Sequence, residues 1–390
     1  MSVSSDGNGV TGPLHGLRVI EFAGIGPGPF AVMMLADMGA EVIRVERPSN
    51  QQDAALTAFD FTSRGRRSLA IDLKSAEAID IALKLIDGAD ALVEGFRPGV
   101  MERLGLGPDV CLTRNPRLVY GRMTGWGQGG PLSHSAGHDL NYIALTGALW
   151  ASGEADHSPS FPMNLLGDFG GGGMYLAFGL VSGMLKAQRT GRGDVVDAAI
   201  VDGTNSLMTF IHARRAEGSW QDQRESNLLD GGVPWYRVYA CADGKWVSVA
   251  ALEQKFWYEL LDMLGIKRLD IGERDNKSKW PKIAQQLKEK FATQSRDYWA
   301  DIFSGSDACV APVLSTAEAR SNAHMVARNA FATEGADQPM PAPRFSDSPT
   351  TLPTPAVPAG ANSIDILKEA GITESEINDL LSRGVVGTID

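Results

Sequence analysis

Residues 17–47 narrow what this chain can fold into more than any other stretch. An apolar run, LRVIEFA, leads into a glycine and proline turn, GIGPGP; a helical stretch, FAVMMLADMGA, follows, and a second apolar run, EVIRVE, closes the unit. This is a strand, turn, helix, strand pattern. It repeats. SLAIDL reads as a strand, SAEAIDIALKLIDGA as an amphipathic helix opening on Ser75 with Glu77 in its first turn, DALVEGF as a strand, and RLVYGRMTG as another. Alternating strands and helices of this kind imply a largely parallel sheet covered by helices, so the predicted fold class is an open α/β domain.

The middle of the chain has a different texture. GDFGGGGMYLAFGLVSGMLKAQRTG carries four consecutive glycines, Gly170 to Gly173, and runs into a small-residue apolar helix ending near Gly191. GDVVDAAIVDGTNSLMTFIHARRA then reads as a strand and a further helix. From about residue 225, YRVYACADGKWVSVAAL is two strands joined through Asp243-Gly244, a hairpin signal. Helices QKFWYELLDMLG, KIAQQLKEKFAT and RDYWADIF and the strand-like CVAPVLS complete a smaller α+β domain. Seven prolines between Pro339 and Pro358 make that segment extended. SIDILKEAGITESEINDLLSRGVV reads as two short helices separated at Gly371. The expected division is a flexible lead over 1–12, a large domain over 13–200, a linker helix over 201–224 and a small domain over 225–325. A proline-rich return linker over 326–360 and C-terminal helices over 361–390, back on the large domain, complete it.

Charge and cysteine usage exclude several classes of function. A net charge of −11 offers no broad cationic field for nucleic acid or an anionic membrane. No run of eighteen apolar residues occurs, so no membrane span is expected. Cys111, Cys241 and Cys309 are scattered without a CxxC pair, which argues against a disulfide framework or a zinc knuckle and for reduced thiols. MSVSSDGNGVTG lacks the basic and apolar regions of a signal peptide, and GVVGTID carries no peroxisomal signal, so a cytoplasmic location is expected.

Motif by motif, the residues leave alternatives open. GIGPGP between a strand and a helix, with Glu46 twenty residues after Gly26, invites a dinucleotide reading. The third glycine is absent, however, and Pro27 and Pro29 remove two N–H groups that a pyrophosphate would use. Basic residues cluster at strand ends and loops of the first domain: Arg44 and Arg47, then Arg64, Arg66 and Arg67, then Lys74, Arg97 and Arg103. They fit either a bound phosphate ligand or a solvated charged surface. Of the six histidines none lies in HExxH or HxH, and neither GxSxG nor a P-loop is present. His138 and Asp168 each follow a glycine in loops, where a scaffold presents chemistry; a structural loop histidine and a helix N-cap are the plainer readings.

The stretches GPLHGLRVIEFAGIGPGPFAVMMLADMGAEVIRVERP, DLKS, VEGFRPGVMERLGLG, RMTGWGQGGP, AGHDLNY, NLLGDFGGG, VVDAAIVDG and MPAPRF occur in that order. Together they resemble the class III CoA-transferase superfamily and, within it, closely resemble the α-methylacyl-CoA racemases, from about residue 12 to the C-terminus. The resemblance implies an interlocked homodimer, each chain having a large Rossmann-like domain and a small domain joined by long linkers. It implies coenzyme A as part of the substrate. By motif, Arg47 meets the nucleotide phosphates with Ile71 and Lys74 beside it, and Gly95, Phe96, Arg97 and Arg103 complete that site. His138 and Asp168 take the two acid/base roles, Gly137, Asp139, Asn141 and Tyr142 line the substrate, and Glu253 supports His138 from the same or the partner subunit.

Inverting the α-carbon of a 2-methylacyl thioester requires removing a proton on one face and returning one on the other. An imidazole and a carboxyl group raised by burial suit those tasks, and no metal or redox cofactor is needed. Gly170–Gly173, read as opening a helix, are expected to aim N–H groups at the thioester oxygen. Met163 and Met174, near Asp168, read either as an adaptable acyl surface or as core. The alternative within the same superfamily is a CoA-transferase, in which Asp168 is the nucleophile that forms a mixed anhydride; the histidine of GHDLNY is what that branch generally lacks.

Overall fold

Alternate residues of each apolar run serve opposite faces of one sheet, and two cores result. The computed structural model of the protein describes residues 12–48, 59–271, 273–333 and 337–389, so the lead expected over 1–12 lies outside the described residues except for Gly12. Its seven-stranded sheet contains β1 (Arg18–Phe22), β2 (Glu41–Glu46), β3 (Arg66–Ile71), β4 (Ala91–Glu94), β5 (Val119–Thr124) and β6 (Asp194–Ala199), all parallel, with the C-terminal β10 (Val386–Gly387) antiparallel at one edge. The order is β10-β3-β2-β1-β4-β5-β6. Val19 pairs with Val42 and Ile20 with Ile43 across β1 and β2. Val19 and Val42 enter one core with Val32 and Leu35 of α1 (Pro27–Asp37) and with Leu176 and Leu180 of α6 (Met174–Thr190). Ile20 and Ile43 enter the other with Ile81 and Leu85 of α2 (Ala76–Asp87). A strand buried on both faces needs a continuous apolar run, which is why these runs do not alternate with polar residues. Two short helices, α3 (Val100–Arg103) and α4 (Pro108–Arg114), lead from β4 to β5.

The chain clusters into two units. The first contains Met1–Thr146, Pro162–Leu207 and Asn329–Asp390; the second contains Gly147–Phe161 and Met208–Arg328. Residues 147–161, read from sequence within the large domain, go with the second unit because Arg224 ties them there, its Nε donating to Glu154 O at 3.0 Å and its Nη2 to His157 O at 2.9 Å. The second unit has a three-stranded antiparallel sheet of β7 (Tyr236–Ala240), β8 (Trp246–Ala250) and β9 (Val310–Pro312). The hairpin turns at Gly244, whose φ of 75° suits glycine. Trp257, Leu260, Phe291 and Trp299 lie in this unit's own core.

The proline-rich return belongs to the first unit. Arg64, 2% exposed, donates to Gln338 Oε1 and to Pro339 O, and the Gly65 N–H donates to Thr354 O. Helices Ser363–Glu369 and Glu374–Ser382 follow, their Ile366, Leu367, Ile377 and Leu380 packing into the core beside α2. The edge strand β10 is an addition to the two helices expected there. Gly384, at φ 70°, ends the last helix, and Val386 then pairs with Ile71. Where a single linker helix was expected over 201–224, two helices occur: α7 (Ile200–Leu207) in the first unit and Thr209–Ala216 in the second.

Candidate active site

Connections leave β1 and β4 toward opposite sides of the sheet, since β2 and β3 lie beyond β1 while β5 and β6 lie beyond β4. In an open parallel sheet a crevice forms where neighbouring loops diverge in this way, outside the carboxyl ends of the strands. A cleft of about 430 Å³ lies there. Its walls are the β1 turn from Gly24 to Pro29, the β4 turn from Gly95 to Pro98, the end of β5 with Trp126, the loop from Ser133 to His138, and Asp168.

His138 and Asp168 reach this cleft from different elements. His138 is exposed and extended (φ −134°, ψ 173°) at the N-cap position of α5 (Asp139–Leu145), and its N–H donates to Asn141 Oδ1 at 3.1 Å. Asp168 lies in a π-helix, Leu165–Gly173, which leads directly into α6. Wide π-helical turns frequently occur at functional sites. Asp139, 7% exposed, joins the two elements: its Oδ1 accepts the Asp168 N–H at 2.6 Å. Phe169 stacks on Phe30 of α1, ring centroids 4.3 Å apart, and a Cβ on Gly26 would lie 3.3 Å from Asp168 Oδ2. The carboxyl group is therefore hemmed in by the β1 turn.

Burial raises the Asp168 pKa above the usual carboxylate value, and the negative charge of Asp139 adds to the rise; a hydrogen bond with Asn164 and the nearby His138 oppose it. Tyr142 fixes the loop ahead of His138 by donating its hydroxyl proton to Gly137 O, while its ring meets Trp126 edge-on at 4.7 Å. Two acid/base groups of different chemistry thus line one cleft, which is what proton removal and return at one carbon requires.

The glycine run does something other than expected. The π-helix begins at Leu165, so Gly170–Gly173 form its last turn rather than opening a helix, and their N–H groups are spent along it. Their small size serves packing instead: a Cβ on Gly173 would lie 2.7 Å from the Phe30 ring and 2.9 Å from Pro27 O. Met163 and Met174 are exposed, which removes the core reading.

The basic cluster separates into two populations. Arg64 pairs with Asp37 and Arg66 with Glu21, all four nearly fully buried. Arg67 pairs with Glu41 and Glu369, and Arg44 donates to Ser63. These four hold the fold together. Arg47, Lys74, Arg97 and Arg103 are exposed and form no ion pair with another described residue. Arg47 follows β2, Lys74 follows β3 and Arg97 follows β4, so the three stand at the carboxyl end of the sheet, while Arg103 closes α3. Gly95, Phe96, Arg97, Gly137 and Tyr142 line the cleft directly. Ile71 is completely buried, leaving only its backbone for a ligand, and Asn141 is exposed. Glu253 is exposed at the N-cap position of helix Gln254–Leu264 in the second unit.

Glu46, weighed as a ribose ligand, accepts a hydrogen bond from Ser68 Oγ at 2.6 Å, so it is engaged inside the sheet. Sequence reasoning missed Gly26, Trp126 and Asn164. Gly26 stands in GIGPGP, weighed only as a dinucleotide turn, and Trp126 in RMTGWGQGGP, which entered only as part of the family resemblance. Asn164 has no signal of its own, because only the π-helix brings it to Asp168. Among the described residues no group of three or more His, Cys, Asp or Glu side chains is placed to hold a metal ion, and no helix is long and apolar enough to cross a membrane.

Residues 14–363 match CoA-transferase family III, and the chain belongs to that family. Within it, the chain is similar to alpha-methylacyl-CoA racemase of Mus musculus, 41% identical over 96% of this chain and 97% of that one. It is similar also to alpha-methylacyl-CoA racemase of Homo sapiens, 38% identical with the same coverage. A CAIB/BAIF family protein from Brucella suis shares the fold, with a TM-score of 0.79 at 24% identity over 92% of this chain and all of that one.

Proposed function

We propose that the protein is a racemase that inverts the α-carbon of 2-methylacyl-CoA thioesters by two-base proton transfer through an enolate, with His138 and Asp168 as the bases. The observation that carries this is their common cleft: an exposed imidazole and a carboxyl group raised by burial, presented from separate elements. The similarity to racemases over nearly the whole chain supports the substrate class. Glu253, of the same or the partner subunit, is the carboxylate assigned to orient His138. Proton transfer of this kind requires no cofactor, coenzyme A being part of the substrate.

Membership of a transferase family favours one competing reading, acyl transfer through Asp168 as nucleophile. A carboxyl pKa raised by burial moves Asp168 toward the range in which a proton carrier works. The test is to incubate each enantiomer of a 2-methylacyl-CoA in deuterium oxide with a second carboxylic acid present. Racemisation with α-deuterium incorporation, no CoA transfer and no hydroxylamine-trappable Asp168 is expected. Acyl transfer without racemisation would overturn the reading.

The four unpaired cations are assigned to the nucleotide end of the substrate. Arg47→Ala and Arg103→Ala are expected to raise KM about 10-fold or more, since a hydrogen bond to a charged group contributes about 1.5–3 kcal/mol, while kcat changes little. Steady-state kinetics measures this; a change confined to kcat would remove them from the site.

The partner is assigned as a second copy of the chain. Met174, Phe178, Val181 and Leu185 of α6 are 47%, 73%, 40% and 56% exposed and recur at helical spacing, an apolar stripe suited to burial in a subunit interface.

A further inference from the structure

Strand β4 ends in Glu94, and the loop carrying Gly95, Phe96 and Arg97 into the cleft starts one residue later. Glu94 is 1% exposed. One of its carboxylate oxygens accepts the Phe96 N–H at 2.8 Å, and the other accepts Nε of Arg122 at 3.1 Å. Arg122 stands opposite Glu94 in the β4–β5 register and is itself buried. Its Nη1 lies 2.9 Å from Glu102 Oε1, one residue before Arg103. Neither Glu94 nor Arg122 lines the cleft. One buried guanidinium between two carboxylates therefore joins the backs of two segments, Gly95–Arg97 and Glu102–Arg103.

Burying such charges is expensive, and well-packed apolar side chains often stabilise a fold as well or better. The ionic arrangement adds direction, because a planar guanidinium donates its hydrogen bonds only in the plane of its fork. Both segments it fixes carry an unpaired arginine.

We propose that Glu94 and Arg122 are positioning residues for the nucleotide end of a CoA ester, holding Arg97 and Arg103 at one spacing so that both cations meet the ligand's phosphates together. The proposal rests on the CoA-ester reading of the cleft. Burial pushes the Glu94 carboxyl up to about 6, outweighing the Phe96 N–H and Arg122, which pull it down, while the charge of Glu102 adds to the rise. The groups facing Glu94 are Arg122, Glu102 and the Tyr120 hydroxyl. Above that pH the carboxylate accepts from both partners; as pH falls through it, protonation weakens both contacts and affinity for CoA declines.

The experiment is calorimetric titration with CoA of the wild type, Glu94→Gln and Glu94→Asp at pH about 7.5 and about 5.5, on either side of the Glu94 transition, with racemisation kinetics beside it. Glu94→Gln keeps the volume and an acceptor for Phe96 but loses the charge on Arg122. It is expected to raise Kd about 10-fold at the higher pH, as for a lost charge-assisted hydrogen bond, and to raise KM without a matching fall in kcat. Glu94→Asp recovers part of the affinity. The wild type loses more affinity on acidification than Glu94→Gln does. The phosphomonoester of CoA titrates in the same range, but it is common to both proteins, so the difference belongs to Glu94. Should Glu94→Gln fail to fold, Arg122→Lys, which keeps the charge and removes the fork, carries the same comparison. Wild-type Kd and an unchanged pH step in a folded variant would overturn the proposal. A wild type that binds no CoA would instead overturn the reading of the cleft.

Discussion

In deuterium oxide, His138→Ala and Asp168→Ala are each expected to interconvert the enantiomers of a 2-methylacyl-CoA about 10³-fold more slowly than the wild type, the usual scale for losing a positioned acid or base. The expectation follows from placement. His138 comes from the start of α5 and Asp168 from the π-helix, and both line one cleft. Under the proposed mechanism each takes the proton from one face of the α-carbon, and inversion needs both. A single-base variant should therefore still exchange deuterium into the enantiomer whose proton faces the remaining base, without inverting it. The two variants should show opposite enantiomer preferences. Measuring α-deuterium by mass and configuration by chiral separation decides this, and wild-type interconversion in either variant would sink the assignment.

The second large effect concerns stability. Asp37, the last residue of α1, is 3% exposed, and its carboxylate accepts Arg64 Nε at 2.8 Å and Nη2 at 2.5 Å. The same guanidinium donates to Gln338 Oε1 at 3.1 Å and Pro339 O at 2.8 Å. Asp37→Ala strands a buried cation, and breaking a buried pair in this way costs about 3–5 kcal/mol. Urea unfolding should show that loss, and limited proteolysis should show faster cleavage between residues 338 and 354, because Arg64 and Gly65 bind the chain there. Replacing both partners by apolar residues, Asp37→Leu with Arg64→Met, should recover part of the stability, since no unpaired charge then remains while Gln338 Oε1 and Pro339 O lose their donor. If the single variant were as stable as the wild type, Arg64 would have to find another partner.

Much of the first unit was legible because its signals are local. The strand, turn, helix, strand unit over 17–47 and the amphipathic helix from Ser75 appear where periodicity places them. So does the hairpin around Gly244. His138, Asp168 and the basic cluster were likewise visible as residue types in loops. Which arginines are free was not visible. Arg64 and Arg66 look no different from Arg47 in sequence, yet their partners lie 27 and 45 residues away in Asp37 and Glu21. The glycine run misled for a related reason: its place in the chain suggested a helix start, while the π-helix begins five residues earlier and uses the glycines to let α1 approach.

By itself the sequence determined the strand and helix alternation and the extended proline segment, because each depends on backbone preference and hydrophobic period within a few residues, while the candidate acid and base were singled out by the family resemblance of the motifs that hold them. Only the tertiary structure decided strand order, the split of the cations into buried and free, the closeness of His138 to Asp168 and the upward shift of Asp168. The physical reason is that desolvation and charge pairing depend on which distant segments exclude water from a side chain, and residues 26, 138, 139, 164 and 168 become neighbours only when the sheet has chosen its order.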